Sequence, residues 1–363
     1  MKKKLKIGVL FGGKSAEHEI SLLSARNVIN ALDKKKYEVI PIGISKEGKW
    51  ILGSVSNYLL NSDNPKLIKL YDSKKEVALT IQSSGSLTDV KSKKKHGNVD
   101  VVFPVLHGPY GEDGSIQGLF KLAGIPFVGA GVLGSAVGMD KDVMKRLLTE
   151  AGIKNAKCIA LKNGEKLTFE KAKKTLGLPM FVKPANLGSS VGINKIKSKK
   201  DWKKFLAEAF LYDSKILIEE AIVGRELECA VLGNDEPIAS GIGEVVLNAE
   251  FYSYDAKYID EDGAIIEIPA KNLSKNILQK LRETAVKAYK ALECAGMGRV
   301  DMFLTKRREV YVNEINTIPG FTNISMYPKL WAQAGIPQTK LLDILINLAI
   351  DRFEKEKKLR KEK

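Results

Sequence analysis

Three side chains near the C-terminal end have the types and the spacing that a metal ion requires, and an arginine lies beside them. Arg299 and Asp301 alternate along one predicted strand, and Glu314 and Asn316 alternate along the next. Because the connection between these strands is short, they should pair as an antiparallel hairpin with Asp301, Glu314 and Asn316 on one side. Oxygen ligands beside phosphate groups are what Mg²⁺ prefers. The sequence therefore predicts a magnesium site, with a polar outer face of the hairpin as the alternative.

A second group of residues has the chemistry of a phosphate site. Lys183 ends a predicted strand and precedes the glycine- and serine-rich residues 184–192, which include Ser190. Backbone N–H groups and hydroxyls of such a loop can bind phosphate oxygens, and lysine adds a point charge. Lys141 and Lys257 are further candidates. A plain turn with surface lysines is the alternative.

Three carboxylates near residue 220 suggest a nucleotide-base site. Glu219 and Glu220 end a predicted strand, and Glu226 follows seven residues after Glu219. A carboxylate near an exposed strand edge can bind an adenine amino group, and one seven residues further can reach ribose hydroxyls. An ordinary polar surface has the same pattern, so this reading stays open.

Polar side chains also follow two predicted buried strands nearer the N-terminus. Glu17 and His18 come after the first strand, and His107 comes directly after another. Ligands of open α/β sheets bind at the carboxyl edge of the strands. These residues are therefore candidates for substrate binding, and a structural histidine is the alternative.

The elements that carry these residues alternate between strand and helix. Residues 5–11, 37–44 and 99–106 are apolar runs typical of buried strands. The alternation predicts an α/β fold whose parallel sheet is covered by helices. Residues 45–98 are patchy and predict a peripheral hairpin or variable insertion.

A second region is predicted to begin near Gly129, and a helix is predicted within it over residues 140–150. Val143, Leu147 and Leu148 are expected on its buried face.

Composition narrows the class of protein. A chain of 363 residues is long enough for two or three domains. The longest apolar stretch, residues 341–350, is too short to cross a bilayer. Three widely spaced cysteines are typical of reduced thiols in the cytosol. The net charge of +16 raises the alternative of nucleic-acid binding, but the lysines are dispersed and lack interleaved aromatics, which favours a solvated lysine-rich surface.

Taken together, these stretches resemble the D-alanine–D-alanine ligase family of the ATP-grasp superfamily. Eight segments occur in the order typical of the family. They are GGKSAEHEISLLSA (12–25), LHGPYGEDGSIQG (106–118), GMDKDVMK (138–145), VKPANLGSSVGI (182–193), ILIEEAIVGRELE (216–228), YDAKY (254–258), GRVDMF (298–303) and NEINTIPGFTNISMYP (313–328).

The resemblance implies a three-domain ATP-grasp architecture with a Rossmann-like N-terminal domain. The expected domains are residues 1–126 for substrate binding, residues 127–218 as the central ATP-grasp subdomain, and residues 219–363 as the C-terminal ATP-grasp and metal-binding domain. ATP would lie between the second and third domains.

The resemblance also implies a role for each matching residue. Those expected to act on ATP and metal are Lys141, Lys183 and Lys257 at the phosphates, Glu219 at adenine, Glu226 at ribose, Ser190 and Glu220 as further ATP-binding residues, and Asp301, Glu314 and Asn316 at two Mg²⁺ ions. Those expected to act on the amino acids are Glu17, Ser189 and Tyr258 at the first ammonium, His107 at the first carboxylate, Arg299 and Gly320 at the oxyanion, and Ser325 and Met326 at the second carboxylate.

The activity implied is ligation of two D-alanines through a D-alanyl phosphate, with release of ADP and phosphate, for peptidoglycan precursors. Mn²⁺ is an expected substitute for Mg²⁺, and a homodimer in the cytoplasm without nucleic-acid or membrane partners is expected. Tyr258 favours the dipeptide over D-alanyl-D-lactate. The open alternatives are another ATP-grasp ligase, including one that accepts D-lactate, and a non-catalytic nucleotide- or nucleic-acid-binding protein.

Overall fold

The computed structural model describes residues 3–62, 64–81, 85–188, 191–247 and 264–359. Its strands form three larger sheets and two small ones. In the described residues, no helix is both long and apolar enough to cross a membrane. The strands are β1 (Leu5–Gly12), β2 (Tyr37–Ile44), β3 (Trp50–Leu52), β4 (Leu59–Leu60), β5 (Lys69–Leu70), β6 (Val77–Leu79), β7 (Ser86–Asp89), β8 (Lys95–Asn98), β9 (Val101–Val105), β10 (Cys158–Lys162), β11 (Met180–Pro184), β12 (Asn194–Ile196), β13 (Lys215–Glu220), β14 (Gly224–Gly233), β15 (Ile238–Leu247), β16 (Ala264–Glu267), β17 (Gly296–Thr305) and β18 (Val310–Asn316). The helices are α1 (His18–Ala31), α2 (Ser115–Ala123), α3 (Val132–Met139), α4 (Lys141–Glu150), α5 (Phe169–Leu176), α6 (Lys199–Ala209), α7 (Lys275–Ala291), α8 (Met326–Gln333) and α9 (Gln338–Lys357).

The first sheet has the strand order β3-β2-β1-β9. The strand β1 pairs in parallel with both β2 and β9, which confirms the predicted parallel arrangement. Val9, Leu10 and Phe11 are fully buried, as expected for a central parallel strand covered on both faces. The chain leaves β1 and β9 at the same sheet edge, so Glu17 and His107 are delivered to one side.

The segment of residues 45–98 forms small antiparallel pairings around this sheet. The strand β3 extends the main sheet antiparallel to β2. The strands β4 and β5 form one small sheet, and β6, β7 and β8 form another. The predicted peripheral insertion is therefore confirmed as strands at the side of the first sheet.

The other two large sheets are antiparallel. The central sheet has the order β10-β13-β11-β12, and the C-terminal sheet has the order β16-β15-β14-β17-β18. The strands β17 and β18 pair as the predicted hairpin, with Arg299 opposite Asn316 and Asp301 opposite Glu314. This register places the three candidate metal ligands and Arg299 on adjacent strands at one level of the sheet.

The helix α4 buries a face that only partly matches the predicted one. Its buried side chains are Lys141, Met144, Lys145 and Leu148, whereas Leu147 is exposed. Met144 and Leu148 pack in the apolar core of the C-terminal sheet. The prediction is confirmed for Leu148 and wrong for Leu147, because Lys141 and Lys145 share the buried face and a hydrophobic pattern does not count lysines as inward-facing.

Two structural elements cross the expected domain boundaries. Phe127 bridges to Val102 and packs in the core of the first sheet, so the first unit extends past residue 126. The boundary after residue 218 falls inside β13, which continues to Glu220. The helix α4 packs with the C-terminal sheet, although it precedes the central sheet in the chain.

Candidate active site

Three carboxylates form a row across adjacent strands of the C-terminal sheet. Glu228 on β14 lies opposite Asp301 on β17, and Asp301 lies opposite Glu314 on β18. Side chains directly opposite one another lie on the same face, where like charges repel. We call Glu228, Asp301 and Glu314 the carboxylate row.

Arg299 lies between two members of this row. Its Nε and Nη2 donate to Asp301 Oδ1 and Oδ2, both at 2.7 Å, and its Nε is 2.8 Å from Glu228 Oε2. Asn316 Nδ2 also donates to Asp301 Oδ2, at 3.1 Å. We call Glu228, Arg299 and Asp301 the arginine cluster. One guanidinium between two carboxylates leaves a surplus of negative charge.

The carboxylate row fits a divalent cation by charge and by donor type. Carboxylate oxygens and the amide oxygen of Asn316 are hard ligands of the kind that Mg²⁺ selects. Within the described ranges, however, no three Asp, Glu, His or Cys side chains are already gathered around one point. The guanidinium of Arg299 donates to both Asp301 oxygens, so a cation bound by Asp301 would share those oxygens with the guanidinium.

A buried cluster of opposite sign lies on α4, β11 and β13. Glu219 Oε1 is 2.6 Å from Lys183 Nζ, and Glu219 Oε2 is 3.0 Å from Lys145 Nζ. We call Lys145, Glu219 and Lys183 the lysine cluster. Burial opposes the charged form of Glu219, but the two lysines outweigh it and lower its pKa. Burial likewise opposes the charge of Lys183, and Glu219 and Glu314 outweigh it, so the pKa of Lys183 is raised.

Lys141 lies between the lysine cluster and Glu314 of the carboxylate row. Its buried Nζ donates to Leu187 O at 2.8 Å, at the start of the glycine- and serine-rich segment, and lies 3.7 Å from Glu314 Oε2. Burial lowers the pKa of Lys141, in spite of the neighbouring carboxylate. Asp140 caps α4 by accepting from the N–H groups of Asp142 and Val143. The sequence-predicted phosphate residues Lys141 and Lys183 are therefore brought to one place beside Glu314.

The two other predicted nucleotide carboxylates lie at the ends of β13 and β14. Glu220 Oε1 accepts from the N–H of Lys157 at 2.8 Å, which ties β13 to the segment before β10. Glu226 lies between Val245 and Phe303 in the C-terminal sheet. The carboxylate of Glu219 is thus ion-paired with two lysines, whereas that of Glu220 accepts a hydrogen bond from a backbone N–H.

Loops from the first sheet form the facing wall of a pocket above the C-terminal sheet. This pocket is lined by Glu17, His107 and Glu112 on one side and by Arg299, Glu314 and Asn316 on the other. Glu17 is buried at 8% exposure, and Gly108 lies so close that an added Cβ would be 2.9 Å from Glu17 Oε2. The structure therefore brings the predicted first-substrate residues to the predicted metal residues.

Hydrogen bonds attach this wall to the segment of residues 318–321. His107 Nδ1 lies 3.0 Å from Ile318 O, and since a carbonyl only accepts, Nδ1 carries the proton. Burial lowers the pKa of His107, which favours the neutral ring. Glu112 Oε1 accepts from the N–H of Ile318 at 2.9 Å, and Glu112 Oε2 accepts from the N–H of Gly108 at 2.8 Å.

The predicted second-substrate residues lie at the start of α8. Ser325 Oγ accepts from the N–H of Thr322 at 2.9 Å and shares a hydrogen bond with its hydroxyl at 2.8 Å. Gly320 faces this hydroxyl, because an added Cβ would be 2.7 Å from Ser325 Oγ. Met326 is buried against Gly243. All three residues line the same pocket as Glu17.

Four predicted site residues lie outside the described part of the chain. They are Ser189, Ser190, Lys257 and Tyr258.

A phosphate-loop pattern also occurs at the end of the first strand. Residues 8–15 read GVLFGGKS and match the phosphate-loop pattern G-x-x-x-x-G-K-[ST], which the glycine- and serine-rich residues 184–192 do not. Gly8 is paired with Ile40 and Val102 within the first sheet, and β1 continues to Gly12. Because most of the pattern is extended strand, it cannot wrap a phosphate, and the match is coincidental.

Sequence reasoning missed three residues of the site. Lys145 lies one helical turn after Lys141, so the shared face of the two lysines was a usable signal. Glu228 lies two residues after Glu226 on one strand, which also places both on one face. Glu112 has no such signal, because its role depends on a backbone segment far away in the chain. Its carboxyl is buried near Glu17, and both effects raise its pKa, to about 8.

Family models cover most of the chain. The model described as D-ala D-ala ligase N-terminus matches residues 6–130, and the model described as D-ala D-ala ligase C-terminus matches residues 147–347. The chain belongs to the D-alanine–D-alanine ligase family. The family resemblance predicted from the sequence motifs is thereby confirmed.

Similar proteins match over nearly the whole length. The D-alanine–D-alanine ligase of Shouchella clausii is 52% identical over 360 residues, which is 98% of each chain. The D-alanine–D-alanine ligase structure from Coxiella burnetii has a TM-score of 0.84 at 38% identity, covering 98% of this chain and 96% of that one. The VanG D-Ala:D-Ser ligase structure from Enterococcus faecalis has a TM-score of 0.82 at 38% identity, covering 96% and 100%.

Proposed function

We propose that this protein is an ATP-dependent ligase that joins two D-alanine molecules into D-alanyl-D-alanine and releases ADP and phosphate. The product would serve as a peptidoglycan precursor. The observation that carries the proposal is the 3.7 Å approach of Lys141 Nζ to Glu314 Oε2, which joins the phosphate lysines to the carboxylate row. The adjoining pocket, with Glu17 on its opposite wall, offers an amino-acid site next to that junction.

ATP is proposed to lie with its phosphates on the lysines and its base near the end of β13. The residues assigned to it are Lys141, Lys183, Ser190 and Lys257 at the phosphates, Glu219 and Glu220 at adenine, and Glu226 at ribose. The surplus positive charge of the lysine cluster favours a polyphosphate there. Glu219 would have a second role, because its carboxylate fixes the Nζ atoms of Lys145 and Lys183.

Asp301, Glu314 and Asn316 are proposed to hold two Mg²⁺ ions, for which Mn²⁺ would substitute. When bound, such ions neutralise charge on the phosphate oxygens during phosphoryl transfer. The remaining chemistry requires the protein mainly to position reactants and stabilise charge.

The two amino acids are proposed to occupy the pocket between the first sheet and the C-terminal sheet. A carboxylate oxygen of the first D-alanine attacks the γ-phosphorus, and ADP leaves. The amine of the second attacks the acyl carbon of this D-alanyl phosphate, and phosphate leaves after a tetrahedral intermediate. The residues assigned are Glu17, Ser189 and Tyr258 at the first ammonium, His107 at the first carboxylate, Arg299 and Gly320 at the oxyanion, and Ser325 and Met326 at the second substrate.

The architecture is proposed to be a three-domain ATP-grasp fold with a Rossmann-like N-terminal domain. With the strand bounds described above, the central unit would end after Glu220. A homodimer and a cytoplasmic location are part of the same proposal, and both rest on the family.

The test is phosphate release from ATP and Mg²⁺ with D-alanine alone, L-alanine, D-alanine plus D-lactate, or D-alanine plus D-serine. Mass spectrometry identifies the product, and Asp301→Ala serves as the inactive control. Dipeptide formation that requires D-alanine and is lost in the control supports the proposal. A mixed product with D-serine at the expense of D-alanyl-D-alanine would favour a D-Ala:D-Ser ligase, the second candidate suggested by the VanG likeness. No D-alanine-dependent turnover would overturn the assigned substrate.

A further inference from the structure

The segment of residues 318–321 is held at both ends by side chains from the first sheet region. At one end, the N–H of Ile318 donates to Glu112 Oε1 at 2.9 Å, and its carbonyl lies 3.0 Å from His107 Nδ1. At the other end, the N–H of Phe321 donates to Ser24 Oγ at 3.2 Å, and its carbonyl accepts from Asn27 Nδ2 at 2.9 Å. All four backbone groups that frame Pro319 and Gly320 are therefore fixed.

These contacts are linked to one another. Ser24 Oγ lies 3.3 Å from His107 Nε2, so the groups at the two ends of the segment share a hydrogen bond. Glu112 also accepts from the N–H of Gly108 at 2.8 Å, which fixes the loop that carries His107. Buried, mutually bonded polar groups of this kind impose one geometry, because any shift leaves donors or acceptors unpaired.

We propose that Glu112 is a positioning residue that holds the backbone of residues 318–321, and with it Gly320, at the floor of the substrate pocket. Glu112 acts through Ile318 and through the loop at Gly108. The expected effect on kcat rests on the proposed function. The hydrogen bonds by which Glu112 fixes residues 318–321 do not depend on that function. Misplacing a transition-state hydrogen-bond donor costs rate rather than nucleotide affinity.

The chain offers a matched control next to Glu112. Asp113 also accepts two backbone N–H groups, from Tyr110 at 2.8 Å and from Ser115 at 2.9 Å, but both lie within its own loop. Glu112→Gln places an amide NH₂ against one of two backbone N–H donors, whereas Asp113→Asn makes the same chemical change without touching residues 318–321.

The experiment measures two quantities on wild type, Glu112→Gln and Asp113→Asn. Amide hydrogen exchange of a peptide covering residues 317–322 reports the hold on the segment without any need for activity. Steady-state kinetics with ATP and D-alanine separates kcat from the KM for ATP. We expect Glu112→Gln to exchange faster in that peptide and to lose about 10- to 100-fold in kcat, with the KM for ATP within about twofold of wild type. Asp113→Asn should match wild type in both readouts.

Wild-type exchange and wild-type kcat in Glu112→Gln would overturn the inference. An equal effect of Asp113→Asn would also overturn it, because the loop alone would then explain the loss. If Glu112→Gln does not fold, as judged by circular dichroism, Glu112→Asp takes its place, because its shorter side chain draws the carboxylate away from the N–H groups of Ile318 and Gly108, and faster exchange of the same peptide with reduced kcat is expected. If wild type makes no dipeptide, the proposed function fails, and the exchange comparison still decides the inference.

Discussion

The lysine cluster and the arginine cluster are built from the same kind of ion pair with opposite balance. In the lysine cluster one carboxylate lies between two ammonium groups, at 2.6 and 3.0 Å. In the arginine cluster one guanidinium lies between two carboxylates, at 2.8 and 2.7 Å. The first therefore has surplus positive charge and the second surplus negative charge. A polyphosphate suits the one, a divalent cation suits the other, and Lys141 lies between the lysine cluster and Glu314 of the carboxylate row.

The two clusters also differ in burial. The side chains of the lysine cluster are 2–9% exposed, whereas those of the arginine cluster are 14–20% exposed. A charge that loses its partner in the drier cluster has less water to replace it. Breaking the lysine cluster should thus cost mainly stability, and altering the arginine cluster should mainly change cation binding.

The largest effect is expected from Glu219→Gln. The substitution leaves Lys145 and Lys183 buried near each other without their shared counter-charge. We expect the free energy of unfolding to fall by roughly 3–5 kcal/mol, as for other buried pairs that lose one member. Urea denaturation measures it. Glu220→Gln is the matched control, since that neighbouring carboxylate accepts a backbone N–H, and it should cost about 1 kcal/mol. Equal losses of unfolding free energy in the two variants would contradict a larger stabilising role for the lysine cluster.

Glu112 sharpens the comparison, because it is a half-buried glutamate near another carboxylate instead of two lysines. Its pKa is raised to about 8 by burial and then by Glu17, whereas the pKa of Glu219 is lowered. Between its ordinary pKa near 4.5 and about 8, folded Glu112 binds more protons than unfolded Glu112. Its contribution to stability is therefore fully present below the lower value and is lost as pH rises towards the upper one.

The slope of this contribution should reach about 1.4 kcal/mol per pH unit. Unfolding free energies of wild type and Glu112→Gln, measured between these pH values without added metal, provide the test. The difference between the two proteins should change with pH in the stated direction. Parallel pH profiles would contradict a raised pKa for Glu112.

The smallest effect is expected from Glu228→Gln. Without Glu228, Arg299 would pair with Asp301 alone and compete more strongly with a cation for that carboxylate. The Mg²⁺ concentration for half-maximal phosphate release should rise, but by less than about tenfold, because a partly exposed ion pair contributes no more than ~1 kcal/mol. A magnesium titration of wild type and variant measures it. An unchanged or lower Mg²⁺ concentration for half-maximal phosphate release would contradict competition between Arg299 and the cation.

The hairpin of β17 and β18 shows how much sequence patterning can predict. Two-residue alternation and a short connection are local properties, and they were enough to place Asp301 opposite Glu314 on one face. The first parallel strands were predictable for the same reason. The helix α4 shows the limit, since Lys145 was not among the predicted site residues although Glu219, 74 positions away in the chain, supplies its counter-charge inside the protein.

The sequence by itself determined the family, the order of the elements and the residue types proposed to meet phosphate, metal and amino acid. These follow from local spacing and from motifs, which can be recognised without knowledge of long-range contacts. Only the tertiary structure decided which charges are shared, because ion pairs and backbone contacts join residues that are distant in the chain. Glu112 holds Ile318 across 206 positions, and no local pattern marks a carboxylate whose partner is a distant backbone N–H.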